Sequence, residues 1–290
     1  MKRSFARSTA APTAWAAKLI AWLREELNRQ SGVALAAIKS DLAYRFEFFS
    51  AILGTLLTTL LLYLLWRAVY QSAVSMELSY QSLITYVVLG QAFSFGRLGQ
   101  RRMIMRIGSN IRSGNVALDL VRPTDYQLFH FSNTVAAYIT ETLIVSLPAY
   151  ALAFLFFGID PPASWEAAAG FVVSLAGAFL LVFSLDFLIG LMAFWTVSIW
   201  GLAYAKMAVV DVLAGTIVPL SLFPGWLERV AMALPFRGMA YVPLSIYTGA
   251  IRGADIWTSI LGQFAWGLAL VLLTRLIWLR ARRRLVVQGG

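Results

Sequence analysis

The chain has 290 residues, of which 60% are hydrophobic and 13% charged. Soluble domains run at about 45–50% apolar and about 25% charged, so the composition argues against a water-soluble fold and predicts an all-α integral membrane protein. The net charge of +10 is not gathered on one continuous basic face, as nucleic-acid binding requires. The absence of cysteine excludes disulfides, thiolate catalysis and Cys-ligated metals.

Residues 1–47 read as a basic tail followed by interfacial helices. Trp15, Leu19, Trp22, Leu23 and Leu27 recur at helical spacing, with Lys18, Glu25 and Arg29 elsewhere. That pattern suits a helix lying on a membrane surface with its tryptophans at headgroup level. Ser31-Gly32 is expected to break it. A second amphipathic run, from Val33 through Ile38, Leu42 and Phe46, leads into the apolar region.

Residues 48–279 form the membrane domain. Six spans are predicted, at 48–70, 82–97, 128–157, 167–195, 203–222 and 256–279. The first gives ~35 Å at ~1.5 Å per residue, enough to cross a bilayer. The second is short and interrupted by Gly90, Gln91 and Gly96. The third is long enough to tilt, and Pro148 is expected to kink it. Of the 24 Lys and Arg, nineteen fall in 1–47, 97–127, 280–290 and at Lys206. The segments on the other side hold only Arg229, Arg237 and Arg252. This is the positive-inside pattern and predicts that both termini, including the basic tail 280–290, are cytoplasmic.

Two segments between spans carry the functional signal. In the inner segment, 97–127, Met103, Ile104, Ile107 and Ile111 make one apolar stripe, while Arg101, Arg102, Arg106 and Arg112 supply charge. Gly108 and Gly114 punctuate it, and Pro123 is expected to end it. A stripe of this kind predicts a helix packed under the membrane with a polar face turned to a soluble partner. The outer segment, 223–250, is apolar, yet Pro224, Pro235 and Pro243 divide it into pieces too short to span, with Trp226 in the first. Short helical pieces re-entering the outer leaflet satisfy both facts if their broken ends are covered by protein.

Three acids, Glu141, Asp186 and Asp211, lie well inside predicted spans. Ionisable groups there are costly and mark pathways or pairs. On helical rise the three could share neighbouring depths, with Glu141 the most deeply placed and the first choice for a pathway residue. Lys206 is the obvious cationic partner, but five residues separate it from Asp211, about 140° apart on a helix.

The run from Ile111 to Pro123 (IRSGNVALDLVRP), the FWT at 194–196, and Gly215 followed by IVPLSLFP at 217–224 together resemble the permeases of the type-2 ABC exporter superfamily. The likeness is to the small six-span bacterial subunits, and it covers the chain from about residue 33. It implies a multi-pass protein of the bacterial cytoplasmic (inner) membrane in which two permeases, identical or homologous, pair around a pathway. Two ATP-binding subunits then dock on the inner segment. Coupling falls to Met103, Arg106, Ile107, Ile111, Arg112, Gly114 and Asp119, and the outer segment closes the exit. No G-x-x-x-x-G-K-[ST] loop occurs in this chain, so it is not itself an enzyme. ATP and Mg²⁺ belong to the partner, and no cofactor is expected here. The inferred function is export of a substrate that is a cationic or amphiphilic small molecule.

Two other classes compete. In an ion- or proton-coupled secondary transporter the buried acids would carry protons, but the repeated halves common in such folds are absent. An intramembrane enzyme would need a catalytic set around the single histidine, His130, and no such motif is present.

Overall fold

A computed structural model describes residues 11–41, 45–72, 79–93, 97–122 and 124–284. Leu42, residues 73–78, Gly96, Pro123 and most of the basic C-terminal tail lie outside the described residues, as does the start of the N-terminal tail. Every element among the described residues is helical.

The helix α1 runs unbroken from Ala11 to Asp41, so the expected break at Ser31-Gly32 does not occur. A glycine inside a helix costs only about 1 kcal/mol relative to alanine, and side-chain contacts offset it. Arg29 pairs with Glu25, and Gln30 Nε2 donates to Glu26 at 2.6 Å. Ser132 Oγ donates to Gln30 Oε1 at 2.6 Å, which fastens α1 to α6 (Tyr126–Glu141).

Four helical stretches are long and apolar enough to cross a membrane: Phe46–Gln71, Tyr126–Phe157, Trp165–Phe194 and Ala254–Ala281. The first lies within α2 (Arg45–Gln71). The second joins α6 to α7 (Leu147–Phe157) through a π-helical turn at Thr142–Ser146. That wide turn lies directly ahead of Pro148, which lacks the N–H of a regular ladder and crowds the preceding carbonyls. Gly158, at φ +60°, ends α7 in the left-handed conformation glycine adopts without strain.

The second and fifth predicted spans overlap α3 (Tyr80–Ala92) and α9 (Trp200–Leu213), of 13 and 14 residues. At ~1.5 Å per residue each reaches only ~20 Å, short of a ~30 Å hydrocarbon core. The remaining helices are α4 (Arg97–Arg112), α5 (Val116–Val121), α8 (Trp165–Leu191), α10 (Gly225–Ala233), α11 (Tyr241–Tyr247) and α12 (Ala254–Ala281).

The core sits around α8. Of its apolar window 61% is buried, against 11%, 28% and 22% for the other three candidate spans. Helices α12, α11 and α4 pack on it. Small residues permit this close approach: a Cβ at Gly177 would stand 3.2 Å from Gln263 of α12, and one at Gly190 would stand 3.1 Å from Ile107 of α4.

Gln263 is the polar rivet of this core. Its Oε1 accepts from Ser174 Oγ at 2.8 Å and its Nε2 donates to Gly238 O at 2.7 Å. Gln263→Leu is expected to cost about 1 kcal/mol by leaving both partners unsatisfied. The thermal midpoint in detergent should fall accordingly, and an unchanged midpoint would show that the network adds no stability.

Candidate functional site

The α4 stripe is the best-defined local feature. Met103, Ile104 and Ile107 are buried and Ile111 is partly so, while Arg106 and Arg112 are exposed. Thr134 Oγ1 lies 3.2 Å from Met103 Sδ, and Arg112 Nη1 donates to Val197 O at 3.2 Å. At Gly114, φ +74°, the chain reverses into α5. Asn110 Nδ2 donates to Asp119 Oδ2 at 2.7 Å, and Arg122 stands 3.4 Å from the other oxygen. Asp119 is thus a buried staple that closes the α4–α5 hairpin. Sequence reading overlooked what the hairpin leaves bare. Leu118 is 68% exposed and Val121 83% exposed, and three-residue spacing puts both on one side of α5.

The proline-broken segment folds back on the bundle. Pro224 leads into α10, whose Trp226 is exposed. Pro235 opens a 3₁₀ turn (Pro235–Met239), and Pro243 is buried in the first turn of α11, where no N–H is needed. These pieces have nine, five and seven residues, and their ends are tied down. Tyr241 N donates to Ala214 O at 2.9 Å. The Tyr247 hydroxyl lies 2.8 Å from that of Tyr150 and donates to Asp160 O at 3.1 Å.

Between the two features lies a cavity of about 460 Å³. Its walls come from the start of α2, the end of α3, α4, α8 and especially α9. Thr216, Met239, Ala240 and Leu244 line it from the proline-broken side. Four charged residues line it, Glu47, Arg102, Lys206 and Asp211. Glu47 pairs with Arg102 across its wall. Lys206 Nζ stands 2.7 Å from Asp186 Oδ1, and Asp186, fully buried on α8, is shut behind it. Asp211 is partly exposed into the cavity and forms no ion pair or hydrogen bond among the described residues.

The three acids therefore separate. Lys206 and Asp211 share one cavity wall, with Asp186 behind Lys206. Glu141, at the end of α6, does not line this cavity. No sequence pattern could pair Asp186 with Lys206, because the contact joins two helices through space.

A search of the curated proteins gives no match. A protein-family model described as "ABC-2 family transporter protein" matches residues 47–289, which takes in the four candidate spans, the α4–α5 hairpin and the proline-broken segment. With most of its length matched and its apolar helices arranged as described, the chain belongs to the ABC-2 transporters as a membrane permease of the type-2 ABC class.

Proposed function

We propose that this permease is the membrane subunit of an ATP-driven exporter in the bacterial inner membrane, paired with a second permease and powered by two separate ATP-binding subunits. Both termini and the α4–α5 hairpin face the cytoplasm, as the clustering of Lys and Arg supports. Helices α3 and α9 stand for the second and fifth of its six spans. The proline-broken segment closes the outward exit.

The observation that carries this reading is the α4–α5 hairpin. One side of α4 is locked to α8 through Ile107 and Gly190, and the other side of the hairpin offers Arg112, Leu118 and Val121. A load placed on that outer surface reaches α8 and the cavity through packed side chains. A nucleotide-driven motor that favours one arrangement of the two hairpins biases the whole permease toward it.

The cavity supports a cationic, amphiphilic substrate. Its lining is largely apolar, and the Glu47–Arg102 and Lys206–Asp186 pairs cancel their own charges. That leaves the carboxylate of Asp211 to meet a cation. Asp211 thus replaces Glu141 as the first pathway residue to test. Efflux is to be measured in proteoliposomes holding the permease and its ATPase, with one cationic and one neutral amphiphile. Wild-type efflux of the cation should require ATP and survive a protonophore. Asp211→Asn should slow the cation several-fold and spare the neutral compound. Efflux that follows a proton gradient without ATP would overturn the exporter reading, and equal transport of both compounds by Asp211→Asn would overturn the role of Asp211.

A further inference from the structure

A second cavity, of about 530 Å³, lies between α1, α4 and α6, apart from the one described above. Its α1 wall is built from small residues, Gly32, Val33, Ala36 and Ala37, so the helix arches over a space it does not fill. Three guanidinium groups line that space: Arg102 and Arg106 from successive turns of α4, and Arg122 from beyond α5. Phe129, His130, Asn133, Thr134 and Ala137 of α6 complete it.

One of the three charges, that of Arg106, is not used up among the described residues. Arg102 is paired with Glu47. Arg122 stands 3.4 Å from Asp119, with its guanidinium 4.5 Å from the centre of the Phe129 ring. Arg106 is exposed and forms no ion pair or hydrogen bond among the described residues. His130, buried in the wall, keeps an Nε2 with no hydrogen-bond partner among them. The rest of the lining is largely apolar, with Val33, Ala36, Ala37, Met103 and Ala137.

We infer that this cavity binds an anionic phosphate headgroup at the membrane surface, with Arg106 as its main contact and Arg122 and His130 beside it. Planar guanidinium groups match phosphate oxygens through paired N–H donors. A basic pocket between helices at the membrane surface is where anionic lipids are held, and the apolar part of the lining would receive the start of an acyl chain. The assignment divides the arginines of the α4 segment by role. Arg106 lies beneath α1 and faces the lipid side, whereas Arg112 reaches toward Val197. This inference goes beyond the export reading and does not depend on it.

The test uses the purified full chain in detergent after removal of co-purified lipid. Short-chain phosphatidylglycerol and phosphatidylcholine are titrated separately, and bound lipid is counted by native mass spectrometry. Phosphatidylglycerol should bind more tightly than phosphatidylcholine. Arg106→Gln should weaken it about fivefold, in line with one surface charge, and Arg106→Lys, which keeps the charge without the paired donors, should recover only part of the loss. Arg112→Gln should have no effect. Ala36→Leu, which fills the space from α1 and leaves every charge in place, should weaken it as well. Inorganic phosphate titrated alone separates the sources. Arg106-dependent binding of phosphate would mark a free-anion site of the same chemistry, and phosphate that neither binds nor competes would mark a lipid site. Equal affinity for the two lipids, or an Arg106→Gln variant that binds phosphatidylglycerol like the wild type, would overturn the assignment.

Discussion

Lys206→Met alone should destabilise the protein by about 3–5 kcal/mol, the cost of leaving one member of a buried ion pair uncompensated. Asp186 has no exposed surface, and it lies on the most enclosed of the four candidate spans, whose Phe183 and Phe187 are also fully buried. Apart from the contact with Lys206, neither of its carboxylate oxygens has a hydrogen-bond partner among the described residues. Without Lys206 the carboxylate must take up a proton or draw water into the core. The two halves of the pair are not equivalent. Lys206 lines the cavity, so once Asp186 becomes Asn its ammonium can be hydrated there. Asp186→Asn should therefore cost clearly less than Lys206→Met, and the double change Asp186→Leu with Lys206→Met should recover most of the loss. Thermal midpoints in detergent, with the monodisperse fraction on size exclusion, make the comparison. Equal and small losses for the two single variants would show that the pair is hydrated in the membrane.

This pair marks the boundary of what the sequence could disclose. Residue period and apolar length are local properties, so α8, α12, α2 and the long α6–α7 unit were readable directly. The α4 stripe and the proline-divided segment were readable for the same reason, since each is written in consecutive side chains. Contacts between helices are not written that way. Asp186 and Lys206 meet because the long side chain of Lys206 reaches across from α9 to α8, while their own neighbours along the chain gave no sign of it. Depth along the helices favoured Glu141 among the three acids, yet depth says nothing of the direction a side chain faces, and of the three only Asp211 lines the cavity with no partner among the described residues. The unbroken α1 fails in the opposite sense. Ser31-Gly32 is a genuine local weakness, but its cost is smaller than the contacts at Glu25, Glu26 and Ser132 that hold the helix through it. Helices α3 and α9 came out shorter than the apolar runs that overlap them. Hydropathy registers burial in any apolar surrounding, whether that is lipid or the protein's own core, and nearly all of α3 is buried within the protein.

Leu118→Asp combined with Val121→Asp should abolish stable association with the ATP-binding subunit proposed as its partner while leaving the permease folded. Both side chains project from α5 into open space, and the hairpin behind them is closed independently of them by Asn110 and Asp119. Two carboxylates added there disturb no internal contact. If the face is covered by the motor, however, each must be desolvated in an apolar contact, and substitutions at the centre of such contacts cost about 2 kcal/mol or more. One such change weakens the complex by roughly thirtyfold, and two should take it below retention on an affinity column. Arg112→Glu, at the edge of the same surface, should act more weakly and mainly at low salt, as charges on a rim do. The control is the Asp119→Asn variant. It loosens the staple, so some ATPase should be retained while coupling of hydrolysis to transport declines. Co-purification from cells expressing both subunits, followed by substrate-stimulated ATP hydrolysis, separates these outcomes. If Leu118 and Val121 instead dip into lipid, the double variant would fail to insert and the permease itself would be lost from the membrane fraction. Full insertion with the ATPase still bound would place the docking surface elsewhere on the chain.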